Sequence, residues 1–328
     1  MSRAVLKRFS SRRALFFLVT GLCLLATVAA AFAHLGWLNE LCTHFRAQYA
    51  LWLAAAAALS WWLKGWKKLA VVCLAAAIIN ASTVVPLYFG RKSIDAASAS
   101  VRLVQLNVNK TNKQKIRTLD FLRQANPDLI LVEEVDEAWL SALRAGLPEY
   151  RYGVSEPRSD YYGIALLSRI PLDKAVIIRL GPETLPAIEA RFMVGGQPTA
   201  LFGVHPPPPV SPTTTRVRNR QLQSLARLVV MAKAPTIVAG DLNTSSFSPV
   251  FTDLLNESNM KDSRQGFGFQ PTWNSLFPPF LRIPIDHVLL SETVDVKSRR
   301  VGPQVGSDHR AVVIDLVVGK PEETIEIN

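Results

Sequence analysis

The sequence predicts a strand-rich α/β domain of about 220 residues behind an N-terminal membrane region of three helices. Three observations lead there. Three apolar stretches open the chain before residue 93. From Val101 onwards, short apolar runs alternate with amphipathic segments. Hydrophobic residues make up 49% and the mean hydropathy is +0.17, high for a chain without a membrane part.

The apolar stretches are Ala14–Leu35, Tyr49–Leu63 and Leu69–Phe89. A helical span needs roughly 20 residues to cross a hydrocarbon core of about 30 Å. The second stretch is shorter but carries tryptophans where an interfacial belt would sit. Arg3, Lys7, Arg8, Arg12 and Arg13 precede the first, and Lys64, Lys67 and Lys68 separate the second from the third. Only Arg46 lies between the first two. By the positive-inside rule the N-terminus is cytoplasmic and everything after Phe89 faces outward, which implies a multi-pass protein with an extracytoplasmic domain. Arg91 and Lys92 point mildly the other way. The competing reading makes the first span a signal peptide cut after Ala31-Phe32-Ala33, and the larger domain still lies outside.

Charge follows the same division. The full chain is +11, but residues 1–92 hold 11 Lys and Arg against the single acid Glu40. The rest carries 26 basic and 25 acidic residues and is nearly neutral. Nucleic acid as a partner is thereby weakened, apart from local patches such as "KSRR". Cys23, Cys42 and Cys73 all fall in the N-terminal third, so the larger part must work with oxygen and imidazole ligands.

The segment 93–100, "SIDAASAS", reads as a linker, 101–320 as the domain and 321–328 as a tail. "VRLVQLNVN" opens the domain as a strand. "KIRTLDFLRQANPD" places Ile116, Leu119, Phe121 and Leu122 on one helical face and breaks at Asn126-Pro127. "LILVEEV", "GIALLSR", "AIEARFMV", "ALFGVH", "TIVAGD", "IDHVLLS" and "AVVIDLVV" are further strands, and Thr215–Ala232 reads as a helix.

Several strands end in polar groups that core packing does not need: Asn107 and Asn109, Glu133 and Glu134, His205, Asp241 and Asn243, Asp286 and His287, then Ser307, Asp308 and His309. Singly each has an ordinary explanation, a turn, an exposed edge or a structural histidine. Together they are harder to dismiss, because all three histidines outside the membrane third fall at these ends. Glu, Asp and Asn oxygens suit a hard cation such as Mg2+ or Mn2+. With adjacent His and Asp, that set is what phosphate-ester hydrolysis needs.

The ordered motifs "LNVN", "LVEEV", "GIALLSR", "GVH", "GDLN", "IDHVL" and "SDH" resemble the endonuclease/exonuclease/phosphatase superfamily over Val101–Val318. The resemblance implies a four-layer sandwich, two packed mixed β-sheets flanked by helices, with the site at one edge. It implies that Asn107, Glu134 and Asp308 hold or flank the metal and that His205 contacts the scissile phosphate. Asp241 would orient or activate water, Asn243 would donate to transition-state oxygens, and Asp286 would pair with His309. Whether Asp241 or His309 is the formal base stays open. Glu133 stands where the family usually has Gln, Asn109 where several nucleases have Asp, and His287 reads as structural. "HPPPPVSPTTT" is either a stiff rim of the entrance or a plain loop.

Fold does not choose a substrate within such a superfamily. The membrane part and the neutral domain favour a phosphorylated lipid or another extracytoplasmic phosphoester, and the layout is similar to bacterial membrane-anchored members. A tethered nuclease is the alternative, and a non-catalytic binding module is a third reading that the complete set of polar residues argues against.

Overall fold

Side-chain parity along the strands builds the larger unit. In the first strand, Ser100–Asn107 (β1), Val101 and Leu103 join one buried cluster, while Val104 and Leu106 join another on the opposite face. Both faces of the strand are therefore covered, which is why its sequence reads as a continuous apolar run.

The structure, a computed structural model, describes residues 3–63, 65–91, 94, 99–181 and 185–319. The chain divides into two compact units, Met1–Pro86 with Phe247–Pro249, and Leu87–Ser246 with Val250–Asn328. The expected tail lies outside the described residues, as do Ser93 and residues 95–98 of the expected linker, and Ser100 already belongs to β1.

The smaller unit contains α1 (Arg3–Ala31), α2 (Trp37–Leu41), α3 (Arg46–Trp62) and α4 (Lys67–Val84), and a 3-10 turn at Val85–Tyr88, which runs over the boundary at Pro86, accommodates that proline. Two helices, Ser11–Ala31 and Lys67–Tyr88, are long and apolar enough to cross a membrane. The second expected span forms α3, but at 17 residues it is about 25 Å long at 1.5 Å per residue. Two helices of membrane-crossing length thus stand where three spans were expected. Small side chains, Ala56, Ala57, Cys73, Ala76 and Ala77, fill the contact around Leu53. Hydrogen bonds from Asn80 Nδ2 to Thr27 Oγ1 (2.8 Å) and from Trp52 Nε1 to Thr20 Oγ1 (3.2 Å) link the helices. Close approach through small residues with polar cross-links is how helices associate in an apolar solvent.

In the larger unit, β1 is followed by α5 (Lys115–Ala125), β2 (Leu129–Glu133), α6 (Glu137–Gly146), β3 (Tyr152–Glu156), β4 (Ile164–Ser168), β5 (Lys174–Leu180), β6 (Leu185–Val194) and β7 (Gln197–Val204). Then come α7 (Pro212–Met231), β8 (Thr236–Asp241), α8 (Pro249–Ser258), β9 (Lys261–Asp262), β10 (Asp286–Leu290), β11 (Val294–Val301) and β12 (Val312–Val318). Local chemistry sets the helix ends. Asn126 closes α5 at φ 46°, Asp136 caps α6 by accepting from Trp139 N (2.7 Å), and Ser211 and Thr214 form a capping box ahead of Pro212 in α7.

Two six-stranded sheets result, in the orders β11-β12-β1-β2-β4-β3 and β5-β6-β7-β8-β10-β9. Both are mixed: β1 runs parallel to β2 and β7 parallel to β8, and the other pairs are antiparallel. The sheets face each other across Leu103, Leu129, Leu131 and Ile164 on one side and Ile188, Leu201, Ile237 and Val288 on the other. Helices α5 and α6 cover the outer face of the first sheet, with Trp139 fully buried, and α7 and α8 cover that of the second. The expected two-sheet sandwich flanked by helices is what forms. The eight strands expected from sequence are all present, and the four not expected, β3, β5, β9 and β11, are the four sheet edges.

Candidate active site

The inner-face positions that make the core stop being apolar at one end of the sandwich. On β1 the series Leu103 continues into Gln105 and Asn107, and on β2 Leu131 continues into Glu133. On β8 Ile237 and Ala239 lead to Asp241, and β10 begins with Asp286 before Val288 and Leu290. His205 follows β7 in the same parity after Leu201 and Gly203. Register does the rest: Asp286 lies opposite Asp241, Asn107 beside Glu133, and Gly203 beside Ala239. Gly240 permits this approach, because a Cβ there would lie 1.9 Å from the Val204 carbonyl oxygen at a φ of 150°.

Two carboxamides tie the sheets together. Asn107 Nδ2 donates to Glu134 Oε1 (3.0 Å) and to Asp241 Oδ2 (3.2 Å), while its Oδ1 accepts from Asn109 N (3.0 Å). Gln105 Nε2 donates to Glu133 Oε2 (3.1 Å) and to Asp286 Oδ1 (3.0 Å). Glu134 follows the strand at φ 59°, which turns it out of the β2 parity; its Oε2 accepts from Lys110 N (3.4 Å).

His309 is the central cation. Its Nδ1 pairs with Asp286 Oδ2 at 2.9 Å, and its Nε2 lies 3.5 Å from Asp241 Oδ2. Asp241, Asp286 and His309 each offer a ligand atom within 4.8 Å of the others, a grouping that could hold a metal ion. At that spacing two carboxylates repel by roughly 3–4 kcal/mol at an effective dielectric of about 20. One imidazolium in contact with both more than offsets this. Burial works against its charge, but Asp286 and Asp241 prevail and push His309 up to about 10. Burial raises Asp286 too, yet the His309 charge and hydrogen bond bring it below the usual carboxylate range. Asp241 goes the other way: burial dominates, and despite His309 it is pushed up to about 7.

His205 Nε2 lies 3.6 Å from the same Asp241 oxygen, and burial followed by the His309 charge pushes His205 down to about 4. At neutral pH the site therefore holds one charged and one neutral imidazole. Burial raises Glu134, and burial with the charges of Asp286 and Asp241 raises Glu133 well above the usual range. Asn243, at φ 49°, donates its backbone N–H to Asp241 Oδ1 (3.0 Å) and an amide N–H to the Pro206 carbonyl (2.8 Å). A second amide N–H remains on the same nitrogen.

Asp308 is held on both oxygens, Oδ1 by Asn109 Nδ2 (2.7 Å) and Oδ2 by Trp273 Nε1 (3.0 Å). It is close enough for its charge to raise Glu134. Asn109 thus orients Asp308. His287 points to the opposite face of β10, where Nε2 bonds the Thr244 carbonyl (2.8 Å) and the ring packs on Phe251.

All eight expected site residues, Asn107, Glu134, His205, Asp241, Asn243, Asp286, Asp308 and His309, thus belong to one linked cluster at the polar end of the sandwich. Sequence reasoning missed Gln105 and passed over Glu133. Their signal was parity, since both occupy inner-face positions in strands that are otherwise apolar. The carboxylates of Glu134 and Asp308, with no thiolate among the clustered residues, are of the donor type that suits a hard divalent cation, while Asn107 turns its Nδ2 rather than its Oδ1 toward Glu134.

Residues 104–309 match the endonuclease/exonuclease/phosphatase family model. No curated protein matches the chain significantly in sequence. Among solved structures, an endonuclease/exonuclease/phosphatase family protein from Bacteroides thetaiotaomicron is similar with a TM-score of 0.58 at 18% identity, over 68% of this chain and 99% of that one. D. rerio TDP2 complexed with single strand DNA product is similar at 0.57 and 18%, over 68% and 99%. The human Nocturnin catalytic domain with bound sulfate anion is similar at 0.55 and 20%, over 71% and 98%. These likenesses establish a shared fold. The family match itself covers more than half of the sequence and ends on His309, the last of the clustered polar residues, so the chain belongs to the endonuclease/exonuclease/phosphatase family and is a metal-dependent hydrolase of phosphoric ester bonds.

Proposed function

We propose that this protein is a membrane-anchored phosphoesterase using Mg2+ or Mn2+, with its catalytic domain outside the cytoplasm and a lipid-linked phosphate or pyrophosphate as substrate. The observation that carries the chemistry is the convergence of Asp241 with His205 and with His309, itself seated on Asp286, at one end of the core. Asp241, pushed up to about 7, is poised to take a proton from water, whereas His309 already holds its proton at neutral pH. That difference favours Asp241 as the base and His309 as the charged donor to a phosphoryl oxygen. Neutral His205 and the second N–H of Asn243 add donors that become useful as charge develops on the phosphate. Glu134, with Asn107 and Asp308, would hold the cation, which would supply Lewis-acid neutralisation of phosphoryl charge. We assign Asp286 to His309 rather than to the metal, because their 2.9 Å contact is a hydrogen bond.

Two helices of membrane-crossing length and the Arg and Lys clusters flanking them support anchoring and outward orientation. The near-neutral hydrolase portion supports a lipid phosphate over nucleic acid. The alternative, a tethered nuclease, draws on the single strand DNA product bound to the TDP2 relative. Full-length protein with Mg2+ is expected to release phosphate from a polyprenyl pyrophosphate, to leave plasmid DNA intact and to lose activity with EDTA. Nicked DNA with no phosphate released would establish the nuclease instead. A reporter fused after Asn328 is expected to be active outside the cytoplasm, and a cytoplasmic signal would overturn both the orientation and the lipid argument.

A further inference from the structure

The segment Asn274–Leu281, "NSLFPPFL", carries no charge, yet Leu276, Phe277, Phe280 and Leu281 are 72%, 53%, 61% and 47% exposed. Four large apolar side chains on one short loop are an unusual thing to leave in water. The loop is also rigidly built. Phe277 N bonds the Asn274 carbonyl (3.0 Å), Leu281 N the Pro278 carbonyl (2.9 Å) and Arg282 N the Pro279 carbonyl (3.3 Å). Arg282 Nε closes it on the Phe277 carbonyl (2.7 Å). Internal pairing of these backbone groups lowers the cost of entering a medium that offers no hydrogen bonds.

Its base is fixed to the catalytic segment. Ser275 donates its N–H to the Asp308 carbonyl and its Oγ–H to the Ser307 carbonyl, both at 2.6 Å, and Trp273 Nε1 holds Asp308 Oδ2. Whatever takes up the loop is therefore brought beside the residues that handle phosphate.

We propose that Leu276, Phe277, Phe280 and Leu281 form an interfacial anchor that enters the acyl boundary of a bilayer and presents a phosphorylated headgroup to the site. The occupant is a lipid surface because the same chain carries helices of membrane-crossing length, so a bilayer is its standing neighbour, and because Phe and Leu on a charge-free tip are the chemistry of interfacial insertion. The choice of a lipid surface rests on the membrane-anchored part of the proposed function, and the substrate consequence rests on its phosphoesterase part.

The first test places an environment-sensitive fluorophore at Leu276→Cys in the full chain, with Cys23, Cys42 and Cys73 replaced by alanine, in phosphatidylcholine–phosphatidylglycerol vesicles. We expect a blue-shifted emission quenched at least twofold by lipids carrying a nitroxide on the acyl chain. Emission as in water overturns the inference, and so does a blue-shifted emission that these lipids do not quench, because a second copy or another protein then covers the loop. The second test uses Phe277→Ser with Phe280→Ser, both exposed positions. Hydrolysis of a phosphorylated lipid in vesicles should fall roughly tenfold through KM, while a water-soluble phosphodiester is hydrolysed within twofold of wild type. Equal loss on both substrates overturns the anchor by revealing a structural effect on Asp308. A quenched probe with no lipid phosphate hydrolysed by wild type keeps the anchor and removes the substrate reading; lipid hydrolysis with the probe in water does the reverse.

Discussion

Asp241→Asn is expected to lower kcat/KM for phosphoester hydrolysis by roughly 10³-fold and to leave the fold intact. The carboxylate sits where Asn107, His205 and His309 converge, and no other acid contacts both histidines at these distances among the described residues. An amide there keeps the shape and loses the basicity. Two stability effects oppose each other. Both Asp241 oxygens accept hydrogen bonds, from Asn243 N and from Asn107 Nδ2, so an NH2 on either side forfeits one contact at about 1–2 kcal/mol. Against that, a buried carboxylate raised to about 7 is replaced by a neutral group. Thermal unfolding should therefore move little while the kinetics collapse. Activity retained within tenfold of wild type would remove Asp241 from the chemistry.

His309→Ala should cost roughly as much, 10³-fold, and Asp286→Asn less, on the order of 10²-fold, because Asp286 acts through the imidazole that it holds at 2.9 Å. The informative variant is the double one. If Asp286 works by fixing the orientation and proton of His309, then Asp286→Asn in a His309→Ala background should add almost nothing. Steady-state kinetics on a soluble phosphodiester measure the cycle. Losses that multiply would mean that Asp286 has a separate task, such as the metal ligation its position beside Asp241 would allow.

Much of this arrangement is legible in the sequence for a physical reason. Central strands covered on both faces must be apolar throughout, so "TIVAG" and "LILVE" announce themselves, and the polar residue that ends each is conspicuous. Edge strands escape that rule. Lys174–Leu180 and Val294–Val301 carry Lys and Arg on half-exposed backbone, as suits strands that must not pair further, and so lack the buried-strand pattern. Tyr152–Glu156 and the two-residue Lys261–Asp262 are shorter still. Gln105 was hidden differently. A lone amide inside "LVQLN" reads as a solvent-facing position, and its partners come from elsewhere, Glu133 from the neighbouring strand β2 and Asp286 from the facing sheet. The apolar N-terminal helices were legible in composition but not in length, since α3 is helical yet stops at 17 residues.

The hydrogen bond from Ser307 Oγ to the Asn107 carbonyl joins positions 200 residues apart, and His309 lies just beyond. During synthesis, Asn107, Glu134 and Asp241 are in place long before Asp308, the proposed metal neighbour, and His309, the imidazole seated between two carboxylates, exist. On the proposed assignment, a chain made from its N-terminus is therefore expected to lack a complete site until the segment just ahead of β12 is added.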